Sequence, residues 1–508
     1  MPDSTAPTVA TEHLDVLIIG AGISGIGIAY HLQKRHPSKS YTILEARNGI
    51  GGTWDLFRYP GIRSDSDLFT FGYSFNPWLE DRSIADAPSI LRYVKTTASN
   101  NRIDEKVRLG YKVGSASWSS AEQLWTVEAE DMATGKLRQY TARWIFSACG
   151  YYRYDQGYTP HFDGINRFGG TIVHPQHWPE DLDFAGKRVV VIGSGATAVT
   201  IIPAIADQVA HVTMLQRTPT YIIAAPAVNP VDAKLRQWFG AERGSRMARE
   251  FHVRIGDIVF KFSRKYPERM RNLIRKSNVK SLGEGFDVDK HLTPPYNPWD
   301  QRICVAPDGD LFEAINAGKA SIVTDTVATF TEDGIRLGSG EELEADIIVT
   351  ATGLQMLPFG GISLSVDGEV VSFPDTVVYK GLMLSDVPNF GYVFGYTNAS
   401  WTLRVDLVAD HFCRILALMD EHGYGQCVPE RPGPGSTVRP LLENFSAGYV
   451  QRSLDQFPRQ GTGAPWELPM DFIRDRKRFR EGPVGDHLRF TTSPHVDRPP
   501  PTPVEVAA

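Results

Sequence analysis

Two glycine turns, one starting at Gly20 and the other at Gly193, restrict what this chain can fold into more than any other feature. The first follows residues 15–20, DVLIIG, which read as a buried parallel strand. Gly20, Gly22 and Gly25 fit G-x-G-x-x-G. The first glycine permits the tight turn, the second lets backbone approach a pyrophosphate, and the third lets the following helix pack close to the strand. That helix, through Ala29, Tyr30 and Leu32, aims its free N–H groups at the phosphates. A second apolar strand, SYTILEA, carries Glu45 at the distance beyond Gly25 that a dinucleotide fingerprint calls for. A carboxylate there accepts both hydroxyls of an adenosine ribose.

The second turn repeats this logic. Strand Arg188–Ile192 leads into Gly193, Gly195 and Ala198, with Thr197 inside the turn. The next strand, HVTMLQRTP, ends in Gln216, Arg217 and Thr218 rather than in an acid. Arg217 can pair with a ribose 2′-phosphate and Thr218 can add a hydroxyl, so this site favours NADPH over NADH. The competing reading is that Arg217 only covers the surface. Behind Glu45, the cluster GIGGTW holds Gly52, Thr53 and Trp54. It implies a cofactor reaching further into the protein, which favours FAD over NAD at the first site. The expected fold is therefore α/β, with two Rossmann-like dinucleotide-binding domains and electron transfer from nicotinamide to flavin.

The expected order is an FAD domain over 1–165, a linker over 166–185 and an NADP domain over 186–335. A helical insertion is expected at about 225–290. The FAD domain resumes over 336–450 and an irregular tail follows over 451–508. Residues 85–99 read as a helix, and 122–150 as two strands, a turn at Thr134-Gly135 and a third strand. Cys149, near its end, reads as a buried small residue with no partner base. The linker, FGGTIVHPQHWP from Phe168 to Pro179, reads as a tight connection rather than a helix or regular strand. RYPGIRSDSD, with Arg58, Arg63, Asp65 and Asp67, reads by residue chemistry alone as a charged surface loop or as part of the site. Residues 232–277 are basic and amphipathic, forming two or three helices. Their bland reading is a solvated insertion; the alternatives are a lid, a substrate entrance or a membrane-surface patch. Arg302 falls on a loop after Trp299, Asp300 and Gln301, ahead of a helix over Asp308–Ala317 and a strand over Ala320–Thr324. Residues 343–353 read as a strand re-entering the first domain and ending in Thr352-Gly353. Gly360–Val371 reads as a hairpin. The Gly395–Trp401 loop and the long helix after it can approach a flavin ring. From about residue 428 the chain reads as less regular, and VDRPPPTPVEVAA as disordered.

Composition excludes several classes. A net charge of -6 gives no global attraction to nucleic acid or anionic lipid. No run of 18 uncharged apolar residues is present, the opening residues do not resemble a secretory signal, and a reducing cytoplasm is the expected location. The four cysteines offer no CxxC pair, which argues against a disulfide reductase and against a sulfur-rich metal site.

Taken together, these stretches resemble the Baeyer–Villiger type of flavoprotein monooxygenase, of the class B flavin monooxygenases. The resemblance spans about residues 14–425. It rests on both glycine turns, Gly51–Trp54, Arg58–Gly61, Gln216–Pro219 and Ala351-Thr352-Gly353. Its most specific part is F-x-G-x-x-x-H-x-x-x-W-(P/D), met by Phe168, Gly170, His174, Trp178 and Pro179. In size and in the WDQR segment the chain looks most like the subgroup of the mycobacterial thioamide-prodrug activator. The resemblance implies that NADPH reduces FAD, that oxygen adds to give a flavin peroxide, and that the peroxide converts ketones to esters or lactones. Sulfides are a second expected substrate class. Small molecules and oxygen are the expected partners, with no metal. The family's active-site arginine falls on Arg302, which would stabilise the peroxide and the adduct. Its partner aspartate falls on Asp65, and His174 would couple the domains rather than transfer a proton. Gln301 stands where many members carry Lys, so NADPH preference would rest more on Arg217 and Thr218. The runner-up is a flavin monooxygenase restricted to N- or S-oxygenation.

Overall fold

Each glycine turn opens off parallel strands of its own sheet in the computed structural model, which describes residues 12–493 except 434 and 444. The disordered tail expected at 496–508 lies outside the described residues. In the first sheet Glu12–Ile19 runs parallel to Tyr41–Glu45 on one side and Leu137–Ser147 on the other. Its inner residues Val16 to Ile18 have no solvent exposure, because helices cover the Val16 and Ile18 face and strands and loops of the later chain cover the Leu17 face. The Ile23–Arg35 and Trp401–His422 helices pack there side by side. They come so close at Gly27 that a Cβ would lie 2.6 Å from Val405 Cγ1. Phe146 and Trp144 on the sheet meet Phe412 on the second helix, in the middle of this core.

An antiparallel meander extends the same sheet through Tyr111–Ser119, Leu124–Asp131 and Leu137–Ser147. Residues 122–150 thus hold two strands, and the meander's other strand precedes them. The turn at Thr134-Gly135 is present, with Gly135 at φ 68°. Asp86 caps the expected helix over Ala87–Asn100, and the expected hairpin pairs Ser363–Val366 with Glu369–Val370.

The second sheet has five parallel strands in the order Ala320–Thr324, His211–Gln216, Arg188–Ile192, Ile347–Thr350, Thr171–Val173. This corrects two expectations. The strand read as re-entering the first domain belongs to the second sheet, and the linker contains that sheet's edge strand. Ile347, Ile348 and Val349 are apolar and buried on both faces, so their composition fits either sheet and only register decides. The chain returns to the first sheet later, where Ser363–Val366 pairs with Tyr111–Ser119 and Phe390–Tyr392 with Leu137–Ser147.

The insertion folds as three main helices, Pro230–Phe239, Ala241–Lys265 and Pro267–Leu282. The tail expected to be irregular is packed and partly regular. Tyr424–Pro429 pairs with Leu488–Thr492, Val438–Pro440 pairs with Arg459–Gly461, and a helix spans Phe472–Glu481. Trp466 and Phe479 are buried in the first core, which outweighs a composition rich in proline and charge. Among the described residues no helix is long and apolar enough to cross a membrane, and no cluster of His, Cys, Asp or Glu could hold a metal ion.

Candidate active site

The first glycine turn builds the floor of a cavity of about 670 Å³. Gly20 has φ 102°, and a Cβ on Gly25 would lie 1.9 Å from the Gly20 carbonyl oxygen, so both positions require glycine. Gly22 faces Gly52 across the cavity wall, and a Cβ on Gly52 would come within 3.0 Å of Gly22 Cα. Bare backbone from two loops therefore meets where a pyrophosphate would lie. Glu45, at the end of its strand, accepts hydrogen bonds from the N–H groups of Ala21 (2.7 Å) and Arg47 (2.9 Å). Burial nevertheless lifts its carboxyl above the ordinary carboxylate range. Thr53 and Trp54 begin a short helix beside it. Thr53 Oγ1 lies 3.2 Å from the Tyr154 hydroxyl, and Trp54 stands edge-on to Phe71. These glycine-only contacts and the buried acid fit a dinucleotide.

The RYPG loop is not a free surface loop. A Cβ on Gly61 would lie 2.6 Å from Ala204 Cβ and 2.8 Å from the Thr200 carbonyl oxygen. The loop thus lies directly on the Ala196–Ile205 helix of the second sheet. Arg63 pairs with Asp310, and Tyr59 packs against the core of the second sheet. Asp65 sits at the end of this seam and faces Arg302, with Nη1 to Oδ2 at 3.6 Å.

Arg302 is carried by a braced loop. Trp299 has φ 72°, a left-handed conformation that costs roughly 1–2 kcal/mol for a side chain of this kind. Asp300 holds the turn by accepting from the Asn297 N–H at 3.0 Å. Its carbonyl accepts from the Ser446 N–H at 2.8 Å, and its carboxylate pairs with Arg264. Phe260 of the helical insertion lies edge-on to Trp299. Burial alone would weaken the Arg302 charge, but Asp65 and the neighbouring Tyr151, Tyr449 and Tyr152 outweigh it and hold the guanidinium above its ordinary value. Its buried Nε has no hydrogen-bond partner among the described residues.

Arg302 and Asp65 border two cavities. Both line the large one, together with Gly20, Gly22, Glu45, Gly52, Thr53 and Trp54. Both also line a second cavity of about 200 Å³, walled by Phe260 and Val253 of the insertion and by Leu403, Met470 and Phe472. Tyr396, Ala399 and Trp401 reach the large cavity, as read for their loop, and Trp401 Nε1 donates to Ser24 Oγ at 2.7 Å.

The second turn lies apart from these cavities. Gly193 has φ 131°, and a Cβ there would lie 2.3 Å from the Ala351 carbonyl oxygen; around Gly195 there is open space. Ala198 is fully buried in the second core. Arg217 is exposed and makes no ion pair with any described residue, so it is available to an anion. Thr218 is partly buried, and its carbonyl accepts from Ser194 Oγ at 3.1 Å. Gln216 points inward and donates to the His291 carbonyl and to Thr324 Oγ1. Thr352 and Gly353 hold the linker side instead: Thr352 Oγ1 donates to the Tyr158 carbonyl at 2.6 Å, and the Gly353 carbonyl accepts from the Tyr158 N–H.

Three of the five fingerprint residues, Phe168, Gly170 and Trp178, pack on the second sheet. Phe168 enters one of its cores and Trp178 packs on the other, edge-on to Phe184. A Cβ on Gly170 would lie 2.4 Å from the Asp346 carbonyl oxygen. The Pro179 carbonyl accepts from the Leu182 N–H. His174 Nδ1 accepts from the Gln176 N–H at 3.1 Å, while Nε2 lies 3.2 Å from the Gly353 carbonyl. A carbonyl can only accept, so these contacts fit a neutral ring with its proton on Nε2. Burial keeps its pKa low. Cys149, expected to be buried, is instead partly exposed and lines the large cavity; desolvation pushes its thiol up to about 12.

Tyr151, Tyr152 and Tyr449 do not stand out in the sequence. The first two follow the Leu137–Ser147 strand, and the carboxyl ends of parallel strands are where such folds bind ligands, so their position is a usable signal. Tyr449 comes from the tail and carries none.

The flavin-binding monooxygenase-like family matches residues 85–382, and an NAD(P)-binding Rossmann-like domain matches 18–81. The FAD-containing monooxygenase EthA of Mycolicibacterium smegmatis is 52% identical over 483 residues, covering 95% of this chain and 98% of that one. Its counterpart from Mycobacterium tuberculosis H37Rv is 52% identical over 486 residues, covering 95% and 99%. An oxidized steroid monooxygenase bound to NADP superposes with a TM-score of 0.73 at 24% identity, covering 94% of this chain and 100% of that chain. A caprolactone-bound cyclohexanone monooxygenase gives 0.71 at 20%, covering 95% and 100%. At these identities the two structures speak for the fold.

Proposed function

This chain belongs to the flavin-binding monooxygenase-like family, and from that footing we propose that it oxygenates ketones to esters or lactones, with sulfides as a second substrate class. It is an enzyme, an NADPH- and FAD-dependent monooxygenase, and it takes FAD and NADP(H) as cofactors. The division of labour between its sites is our reading. FAD belongs on the first sheet, against Gly20, Gly22, Glu45 and Gly52, and NADPH on the second, at Gly193, Gly195 and Arg217. Reduced FAD supplies the activation of dioxygen.

The observation that carries the ketone reading is the place of Arg302. It lies between the cavity suited to the flavin and a smaller one, lined by both polar and apolar side chains, suited to a substrate. A permanently cationic guanidinium there stabilises negative charge developing on oxygen during attack on a carbonyl. Asp65 holds that guanidinium in place from the opposite side of the seam. The Phe168–Pro179 fingerprint adds to this reading, because it is the most specific part of the resemblance to the Baeyer–Villiger type. The Gln301 side chain adds no charge at the second site, so Arg217 and Thr218 set the preference for NADPH.

The test is a panel of linear, cyclic and aryl ketones, with an aryl methyl sulfide alongside, each incubated with NADPH and air and analysed for products. Esters or lactones are expected from at least one ketone class. Sulfoxide with every ketone unchanged would overturn the ketone reading and leave the S-oxygenating one.

A further inference from the structure

The long helix of the insertion, Ala241–Lys265, has one face that the fold does not use. Met247, Phe251, Ile255, Ile258 and Val259 are all exposed large apolar residues. Their spacing of four, four, three and one places them on a single stripe. Ile258 is 60% exposed, and the helices packed on either side add Trp238 at 69% and Leu273 at 56%. The opposite face is occupied, with Val253, Gly256 and Phe260 lining the smaller cavity. The helix therefore cannot roll to bury its stripe without dismantling that wall.

A row of cations runs beside the stripe. Arg243, Arg254 and Lys265 recur every three helical turns. None makes an ion pair with a described residue; Arg243 and Lys265 instead lie over the rings of Phe239 and Tyr266. Residues 232–282 hold 14 Lys and Arg against 5 Asp and Glu, in a chain whose net charge is -6. The positive charge is thus concentrated on one segment rather than spread by composition. An exposed apolar stripe flanked by unpaired cations is complementary to an anionic lipid surface. It is a poor match for a second copy of itself, since two such faces would bring like charges together.

We propose that the Ala241–Lys265 helix docks this enzyme peripherally on anionic membranes, with the Met247–Val259 stripe in the interfacial zone and Arg243, Arg254 and Lys265 against lipid phosphates. The inference does not depend on which substrate is oxygenated.

The test is flotation of the full-length, FAD-loaded protein with pure phosphatidylcholine vesicles and with vesicles that also contain phosphatidylglycerol. Binding is expected only to the anionic vesicles and should weaken as salt is added. The double variant Ile255→Asp/Ile258→Asp should bind about tenfold more weakly or worse. The triple variant Arg243→Glu/Arg254→Glu/Lys265→Glu should do the same. All these side chains are exposed, so melting temperatures should stay near the parent value, which separates lost docking from lost folding. No binding of the parent protein to anionic vesicles at low salt overturns the proposal. So does binding that both variants retain. A parent that instead forms dimers abolished by Ile255→Asp/Ile258→Asp, without binding vesicles, makes the stripe a contact between copies and overturns it as well.

Discussion

Arg302 Nη1 stands 3.6 Å from Asp65 Oδ2, although the two lie in different halves of the chain. Neither lies on a helix or strand. Asp65 ends a loop pressed against the second sheet's helix at Gly61, and Arg302 follows a turn braced by the insertion and by Ser446 of the tail. The pair therefore depends on the first sheet, the second sheet, the insertion and the tail being in place together.

Arg302→Ala should lower the rate of product formation by about 10²–10³-fold, the range for removing a donor to a developing oxyanion. FAD should remain bound, as read from its absorbance, because the glycine loops and Glu45 hold the dinucleotide. Arg302→Lys should recover little, since a single ammonium cannot present the same fork of donors. Ester or sulfoxide formation near the parent rate in Arg302→Ala would remove Arg302 from the chemistry.

Arg217→Ala should raise KM for NADPH about tenfold or more, and KM for NADH hardly at all. The side chain is exposed and free of ion pairs with described residues, so nothing else changes when it is removed. Steady-state kinetics with both nucleotides measure the difference. Equal changes in the two constants would rule out phosphate recognition by Arg217.

His252 Nε2 lies 2.8 Å from the buried Asp232 carboxylate, on the wall of the smaller cavity. Burial pushes its pKa down, but the hydrogen bond to Asp232 and the charge of Asp67 outweigh that and the net shift is upward. A histidine raised in the fold contributes stability that is fully present below its ordinary value of about 6.5 and is lost as pH rises through the raised value. His252→Gln should therefore lower the melting temperature most in mildly acidic buffer, and the gap to the parent should close as the pH is raised. A gap that widens with pH would contradict the pairing.

Asp475→Ala should destabilise the protein by about 3–5 kcal/mol, because it strands the fully buried Arg404 without its carboxylate partner. Replacing both residues by apolar ones should recover much of the loss. Thermal unfolding of the two variants checks this. A negligible effect would mean that the tail helix is not part of the core.

The glycine turns are legible because their demands are local. Gly20 and Gly193 both sit at positive φ, and in both a Cβ would strike an alanine carbonyl, Ala148 or Ala351, at the end of the neighbouring strand. Glu45 is legible for the same reason: strand, turn, helix and strand fix its place within one unbroken stretch of chain. The linker is legible as a motif but not as structure. Thr171–Val173 is only three residues long, too short for its alternation to stand out among glycine, histidine and proline. The tail reads as irregular because composition reports average polarity. Trp466 and Phe479 are few, but they are buried.

The sequence by itself determined two nucleotide-type turns, the acid of one and the cation of the other, and a fingerprint between them. Each of these is a short-range pattern whose physics is complete within a few residues of chain. Only the tertiary structure decided that Ile347–Thr350 joins the second sheet, that the RYPG loop is a seam rather than a surface, and that Tyr449 reaches Arg302. Those facts depend on register and on which apolar faces bury one another, and both are settled between segments far apart in the chain.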